Sequence, residues 1–575
     1  MEQVTPAAPV IDRAAGFSAR LDAVLAYLTG SQPRAAAAII VFALFCFLPG
    51  IVALPPTDRD EARFAQASKQ MLESGNFIDI RFQTSPRHLQ PVGIYWLQAA
   101  SVRAAESLGF TQARSRIVFY RIPSLLAAIG AALLTYWAAL AFVARRYAFL
   151  AALMMAGSVM LGIEARLAKT DAMLCLTAVA AFGALARAYL QANGALATPA
   201  RPFVTAAIFW TAIAGSILVK GPILPFLVVL TVGALSIADR SARWVAELKP
   251  LPGIVWMLLL VLPWYIAVII RTEGAFLENA VFGSLLIKVQ QGQQGHGAPP
   301  GYFFLAFWAT FWPAAPLAAL AAPFAWRKRA EPGVRFLLAW LMPGWLMFEI
   351  VLTKLPHYVL PMYPAAAILV ALALARAAPA GRWARLAGWL WPIFAAVVLA
   401  LGIALVAGFG GRFGFLFWPA AIVAVILAAI AASRLIAGDA ERALAIALIA
   451  GLGTSAALFT VLSRTDHLFL SPRLVAAARL AACPHSETAS TDFHEPSLVF
   501  LAGTATRLTT ASDAADFLRL GRCRIAFVSA RDAVAFDERA RETGLLYTRL
   551  GEVLGLNYSN GRRLTISVLA RRESE

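Results

Sequence analysis

Charged residues are scarce in this chain, at 14% of its 575 residues, where soluble globular domains carry about 25%. Histidine numbers only 6 and cysteine only 4, which excludes a disulfide-stapled mini-domain. There is no Walker loop, dinucleotide fingerprint, His-Glu-x-x-His or Cys-x-x-Cys pair. These absences argue against an ordinary cytosolic enzyme, a nucleotide-dependent reaction and a structural zinc. Disorder is excluded from the other side: 60% of residues are hydrophobic, with 15 Trp and a mean hydropathy of +0.70. The balance is that of a polytopic membrane protein with one soluble appendage.

Apolar windows near the length of about 20 residues needed to cross a bilayer fall at 36–54, 122–142, 147–163, 172–190, 203–219, 222–237, 253–270, 303–323, 336–352, 357–376, 384–408, 416–433 and 442–462. That predicts thirteen spans. Arg13, Arg20 and Arg34 precede the first run, and no small-residue cleavage site follows it, so it reads as a retained span. The net charge of +18 is read as topology and contact with membrane lipids rather than nucleic-acid binding. No basic helix interleaved with aromatics is present. Arg145 with Arg146, Arg240 with Arg243, and Arg327 through Arg329 cluster in alternate connections. This bias predicts a cytoplasmic N-terminus and, with an odd number of crossings, an outer C-terminus.

The predicted architecture is therefore mainly α. A cytoplasmic tail at 1–35 leads into a membrane domain at 36–463, which carries long outer loops at 55–121 and 271–302. A small α/β domain follows at 464–575. Within the first outer loop, Glu61 to Leu72 and Gly93 to Val102 predict helices lying along the membrane surface. In the last region Leu498–Phe500, Arg524–Val528 and Leu564–Leu569 read as strands, and Ser512–Leu520 and Ala533–Thr543 as helices. Asn557 to Gly561 reads as a turn. Cys46 and Cys175 lie in apolar runs as packing residues, and Cys483 and Cys523 are either a disulfide or two separate thiols.

The inner connections hold interchangeable Arg and Lys, whereas the outer ones mix acid and base at particular places. Asp58, Asp60, Glu61 and Arg63 follow the first span; Glu164, Arg166, Lys169 and Asp171 form a second group; Lys220 stands alone; Lys354 precedes His357 and Tyr358. Ionisable groups beside apolar runs are costly unless paired or functional. Together these residues can ring an outer cavity with a general base on one side and cations for a phosphate on the other. The plainer reading of Asp58 to Glu61 is a helix start, with Thr57 or Asp58 as cap and acids on the dipole. Asp58 and Asp60 are also the candidate ligands if a metal is held, though two oxygens are too few to define a site. Arg87, His88 and Gln90 are candidate polar liners ahead of Tyr95 and Trp96, and His296 lies in a Gly/Pro-rich loop suited to a lid.

Asp60-Glu61-Ala62-Arg63-Phe64-Ala65 resembles the signature after the first span of the bacterial lipid A aminoarabinose transferases. These belong with the protein O-mannosyltransferases among the C-type membrane glycosyltransferases. Gln90-Pro91-Val92-Gly93-Ile94-Tyr95-Trp96 resembles a second family motif, and Arg166 to Asp171, Lys220-Gly221 and Lys354 to Tyr358 look like further family positions. The resemblance implies a periplasmic active site in the inner membrane of a bacterium and a polyprenyl-phosphate-linked sugar donor. It also implies a lipid A, lipopolysaccharide or other glycan acceptor. Asp60 would be the catalytic carboxylate, and Arg63, Lys220 and Lys354 contacts to the donor phosphate. Substrate contacts are also expected from Glu61, Arg87, His88, Gln90, Tyr95, Arg166, Lys169, Asp171, His296, His357 and Tyr358. No cofactor is required, and a divalent cation is left open. Gln90 stands where the family has lysine, Leu89 where it often has glutamate, and Phe64 where it has tyrosine. A protein O-mannosyltransferase-like enzyme is the alternative within the class; a lipid or solute transporter, or an envelope assembly protein, lies outside it.

Overall fold

A computed structural model of the chain describes residues 13–196, 200–278, 297–377, 381–483 and 486–572. Among them, nine helices are long and apolar enough to cross a membrane, or eleven when each of two bent pairs counts as one span. The thirteen windows read from the sequence all fall on helical segments, but not all on full-length ones. The 222–237 window is the 17-residue helix Ile223–Asp239, and the 303–323 window is split between Tyr302–Thr310 and Ala315–Arg327. Residues Arg13–Thr29, placed in the tail, form a helix.

Burial ranks the spans by position. The Pro356–Ala375 segment has 83% of its apolar window buried and Asp171–Ala192 has 72%, whereas Pro250–Arg271 has 17%. The first two form the centre of the bundle, where alanine-rich faces let helices approach closely; the third presents its side chains to lipid.

The first long loop folds back onto the bundle. Its helices Asp60–Ser74 and Gly93–Ser107 pack together, and Ser68 donates a 2.6 Å hydrogen bond to Gln98, whose amide in turn donates to the carbonyl of Ala168. The Asp60–Ser74 helix stops at Gly75, whose φ of 72° is a left-handed conformation that glycine adopts at no steric cost. The second helix begins at Gly93, where a β-carbon would lie 2.7 Å from the carbonyl oxygen of Leu218. Only glycine lets this helix rest on the end of Pro202–Lys220, and that contact brings the Gln90–Trp96 segment toward Lys220.

The C-terminal region is a five-stranded sheet in the order Arg507–Leu508, Glu487–Ser490, Arg524–Ser529, Arg562–Arg571, Tyr547–Asn557. The first three strands run parallel, and the last two join antiparallel through the turn after Asn557. Ala511–Arg519 and Ala533–Glu542 are helical as expected. Leu498–Phe500 is not a strand: it lies inside the helix Pro496–Ala502. Three apolar residues do not distinguish the two periods, and Pro496 at the first helical position, with φ preset and no N–H to satisfy, decides for helix. Cys483 and Cys523 are disulfide-bonded, with their Cα atoms 5.6 Å apart.

Candidate functional site

Asp60 opens the Asp60–Ser74 helix with its side chain exposed, immediately after a segment anchored on every side. The anchor is Glu61, which is 1% exposed. One carboxylate oxygen accepts from Arg121 at 2.7 Å and from the Ala168 N–H at 3.0 Å; the other accepts from Arg121, the Thr57 N–H and the Thr57 hydroxyl, each at 2.9 Å. Arg121 spends its remaining donors on the carbonyls of Ile51, Leu54 and Pro55. This fully satisfied buried pair ties the end of the first span, the helix start and the Ala168 turn together. Neither Thr57 nor Asp58 caps the helix through its side chain, because the capping position falls at Arg59 and Thr57 instead donates to Glu61.

Asp58 turns away from the membrane domain. Its two carboxylate oxygens accept from the N–H of Ser497 at 2.8 Å and from the Ser497 hydroxyl at 2.7 Å, and its own N–H donates to the Tyr558 hydroxyl at 2.6 Å. Burial raises its carboxyl to about 7 despite the bonds from Ser497. Asp58 and Asp60 therefore do not form a paired-ligand site.

Arg63, one turn along the helix, is partly buried and lies in the field of Arg87; burial first and then that second guanidinium push Arg63 below its ordinary value. Arg87 is 7% exposed, lies over the Phe64 ring and donates to the Tyr95 hydroxyl at 3.1 Å. Neither arginine has a carboxylate within ion-pair distance among the described residues, although the field of Asp60 reaches both Arg63 and Tyr95. His88 pairs with Asp79 at 2.9 Å and is held within the loop. Gln90 keeps its amide oxygen buried without a hydrogen-bond partner among the described residues.

Beneath this cluster lies a buried ionic network. Lys169 contacts Glu164 at 3.1 Å and Asp171 at 3.6 Å, and Lys220 hydrogen-bonds Asp171. His357 lies 3.7 Å from Glu164 and 3.5 Å from Asp171. The Lys220 ammonium is 5.9 Å from the centre of the Tyr358 ring, and the field of Asp60 reaches both Lys169 and Tyr358. Glu164, Asp171 and His357 offer ligand atoms within 4.8 Å of one another, the single such grouping among the described residues. Two lysines already balance its two carboxylates, so the donor set is that of an ion-pair network more than of a dication site.

Two sequence candidates point elsewhere. Arg166 donates to the carbonyls of Pro49, Cys46 and Gly162 and lies over the Phe459 ring. Lys354 gives its three donors to the carbonyls of Phe348, Glu349 and Val351, where the helix Pro332–Ile350 ends. His296 lies outside the described residues. Sequence reasoning missed Arg121, Ser497, Glu495 and Tyr558. An arginine immediately before an apolar window was a signal for Arg121; the other three, more than 430 residues from Asp58, had none.

Comparison with known proteins places these features. The family described as dolichyl-phosphate-mannose-protein mannosyltransferase (PMT) matches residues 37–275. An undecaprenyl phosphate-alpha-4-amino-4-deoxy-L-arabinose arabinosyl transferase from Enterobacter sp. (strain 638) is 28% identical over 353 residues, 61% of each chain. The match thus spans about three fifths of that relative's length. The protein of the same name from Erwinia tasmaniensis is 28% identical over 412 residues, covering 68% of this chain and 71% of its own. The crystal structure of ArnT from Cupriavidus metallidurans in the apo state superposes with a TM-score of 0.71 at 19% identity, over 97% of this chain and 98% of that one. The same protein bound to undecaprenyl phosphate gives 0.72 at 18% identity, over 94% and 98%. In fold the chain is ArnT-like, and in sequence it is similar to the ArnT and PMT membrane glycosyltransferases.

Proposed function

We propose that this protein moves a sugar from a polyprenyl-phosphate donor to a cell-envelope acceptor at the periplasmic face of a bacterial inner membrane, inverting the anomeric carbon. The observation that carries the reading is the closeness of two like charges, Arg63 and Arg87, the second lying over the ring of Phe64. The two guanidiniums lie within each other's electrostatic field, with no carboxylate in ion-pair distance among the described residues, and Arg63 is also in the field of the exposed carboxylate of Asp60. Holding like charges together in a partly buried place is unfavourable until an anion sits between them. A donor phosphate is such an anion, and undecaprenyl phosphate is bound by the solved relative. Arg87 also supplies a cation in the segment where the family lysine is replaced by Gln90.

In the reaction, an acceptor oxygen attacks the anomeric carbon as its bond to the phosphate oxygen breaks. The electron pair leaves with the polyprenyl phosphate, where Arg63 and Arg87 stabilise the developing charge. Asp60 takes the proton when the acceptor is a hydroxyl, or accepts a hydrogen bond from an acceptor phosphate that still carries a proton. The network of Lys169, Asp171, Lys220 and His357 holds Tyr358 and the floor of the site. A single displacement without a covalent intermediate inverts configuration.

The disulfide between Cys483 and Cys523 supports an outer location for the C-terminal domain, because such bonds persist in oxidising compartments. The acceptor is a lipid A, lipopolysaccharide or other glycan group; the PMT match over residues 37–275 favours a protein hydroxyl as the second reading. Mass spectrometry of envelope lipids, glycans and glycoproteins from cells with and without the protein separates these. Loss of one sugar from lipid or glycan supports the first reading and loss from protein the second. An unchanged envelope with altered solute uptake contradicts both.

A further inference from the structure

We infer that the C-terminal domain positions the catalytic carboxylate, through a three-point clamp of Ser497, Tyr558 and Glu495 on Asp58 and Arg59. The inference rests on Asp60 being that carboxylate. The two clamped residues immediately precede Asp60 in the chain, so whatever fixes them fixes where its helix starts and where its side chain points.

The contacts are directional. Ser497 donates both its N–H and its hydroxyl to the carboxylate of Asp58. Because that hydroxyl proton is committed to Asp58, the 2.6 Å contact between Ser471 and Ser497 must run from the Ser471 hydroxyl to the Ser497 oxygen. Ser471 therefore orients Ser497, and Ser497 orients Asp58. On the other side the N–H of Asp58 donates to Tyr558 at the hairpin tip. Next to it, Asn557 donates to Glu495 at 2.9 Å, and Glu495 lies 3.5 Å from the Arg59 guanidinium. Ser471, Ser497 and Glu495 are all 5% exposed or less. Farther along the same helix, Lys69 donates to the carbonyl of Phe500 at 3.0 Å and Gln66 donates to Thr504 at 2.8 Å. The domain thus grips this helix at its start and along its length.

A polar anchor this complete is more than tight packing requires. An apolar contact fixes a surface, whereas charge-assisted hydrogen bonds to both oxygens of one carboxylate fix its direction. Direction is what a reacting group needs, since small misplacements of a catalytic group are costly in rate. Ser497 and Tyr558 are therefore positioning residues, acting on the acceptor step rather than on donor capture by Arg63 and Arg87.

The full-length protein, reconstituted in vesicles with polyprenyl-phosphate sugar, tests this through the split between kcat and KM. Ser497→Ala should lower kcat about 10-fold or more with the KM for the donor unchanged, and Ser497→Thr should restore most of the rate. Tyr558→Phe, which keeps the ring and removes one hydroxyl, should lower kcat in the same way and serves where Ser497→Ala folds poorly. In a cycle with Asp58→Asn, the double variant should lose little more than the worse single one. Wild-type rates in both serine and tyrosine variants, a rise in KM alone, or additive losses in the cycle would overturn the inference. Wild-type protein with no transfer at all would instead overturn the transferase reading on which it rests.

Discussion

Glu61 and Arg121 show how one buried ion pair can organise a loop. Each is fully paired out of solvent, and between them they fix Thr57, Ala168 and three carbonyls at the end of the first span. Removing one charge leaves the other uncompensated, which costs about 3–5 kcal/mol in such settings. Glu61→Gln should therefore lower the free energy of unfolding in detergent by that amount, and a change below about 1 kcal/mol would show that water reaches the pair. Arg63 and Arg87 behave in the opposite sense, since their proximity is unfavourable without an anion. Arg87→Ala should weaken donor capture about 10-fold, with the relieved repulsion offsetting part of the lost contacts to Phe64 and Tyr95. Its KM for the polyprenyl-phosphate sugar is the readout, and an unchanged KM would remove Arg87 from the phosphate site.

At the scale of elements, the decisive contact is the resting of Gly93–Ser107 on the end of Pro202–Lys220. The Gly93→Ala methyl would meet a backbone carbonyl at 2.7 Å, and a carbonyl held in a helix cannot rotate aside. A cost of about 1–3 kcal/mol is expected, with transfer falling more than stability because the displaced segment carries Arg87 and Tyr95. Equal activity in the two proteins would mean that the helices separate without consequence. The elements legible from sequence were those with long periodic signals: the apolar windows, Glu61 to Leu72 on the Asp60–Ser74 helix, and the Asn-Gly hairpin. Leu498–Phe500 misled because a three-residue apolar run carries no period. Asp58 misled for a different reason: its residue type suits a helix cap, and only tertiary structure supplied a better partner in Ser497. Arg166 and Lys354 have the spacing of site residues, but backbone carbonyls at helix ends compete for cations and won.

Over the whole molecule, a bundle built on the Asp171–Ala192 and Pro356–Ala375 spans supports the long loop after the first span, and the C-terminal domain closes over that loop. Chain-distant residues from four connections meet there: Asp60 and Arg63, Arg87 and Tyr95, Lys169, and Lys220 with Tyr358. The Cys483–Cys523 bond closes a separation of 40 residues in the covering domain, worth about 2–4 kcal/mol on general chain-entropy grounds. Replacing both cysteines by serine should lower the stability of that domain accordingly. Non-reducing peptide mass spectrometry of protein taken from membranes should recover the linked pair, whereas free thiols at both positions would place the domain on the reducing side.

Cleavage of a polyprenyl-phosphate sugar by wild-type protein and by Asp60→Asn, with donor binding measured on the same preparations, addresses the central claim. Asp60→Asn should bind donor as the wild type does and release no polyprenyl phosphate in the presence of acceptor. Turnover by Asp60→Asn at the wild-type rate would contradict the account.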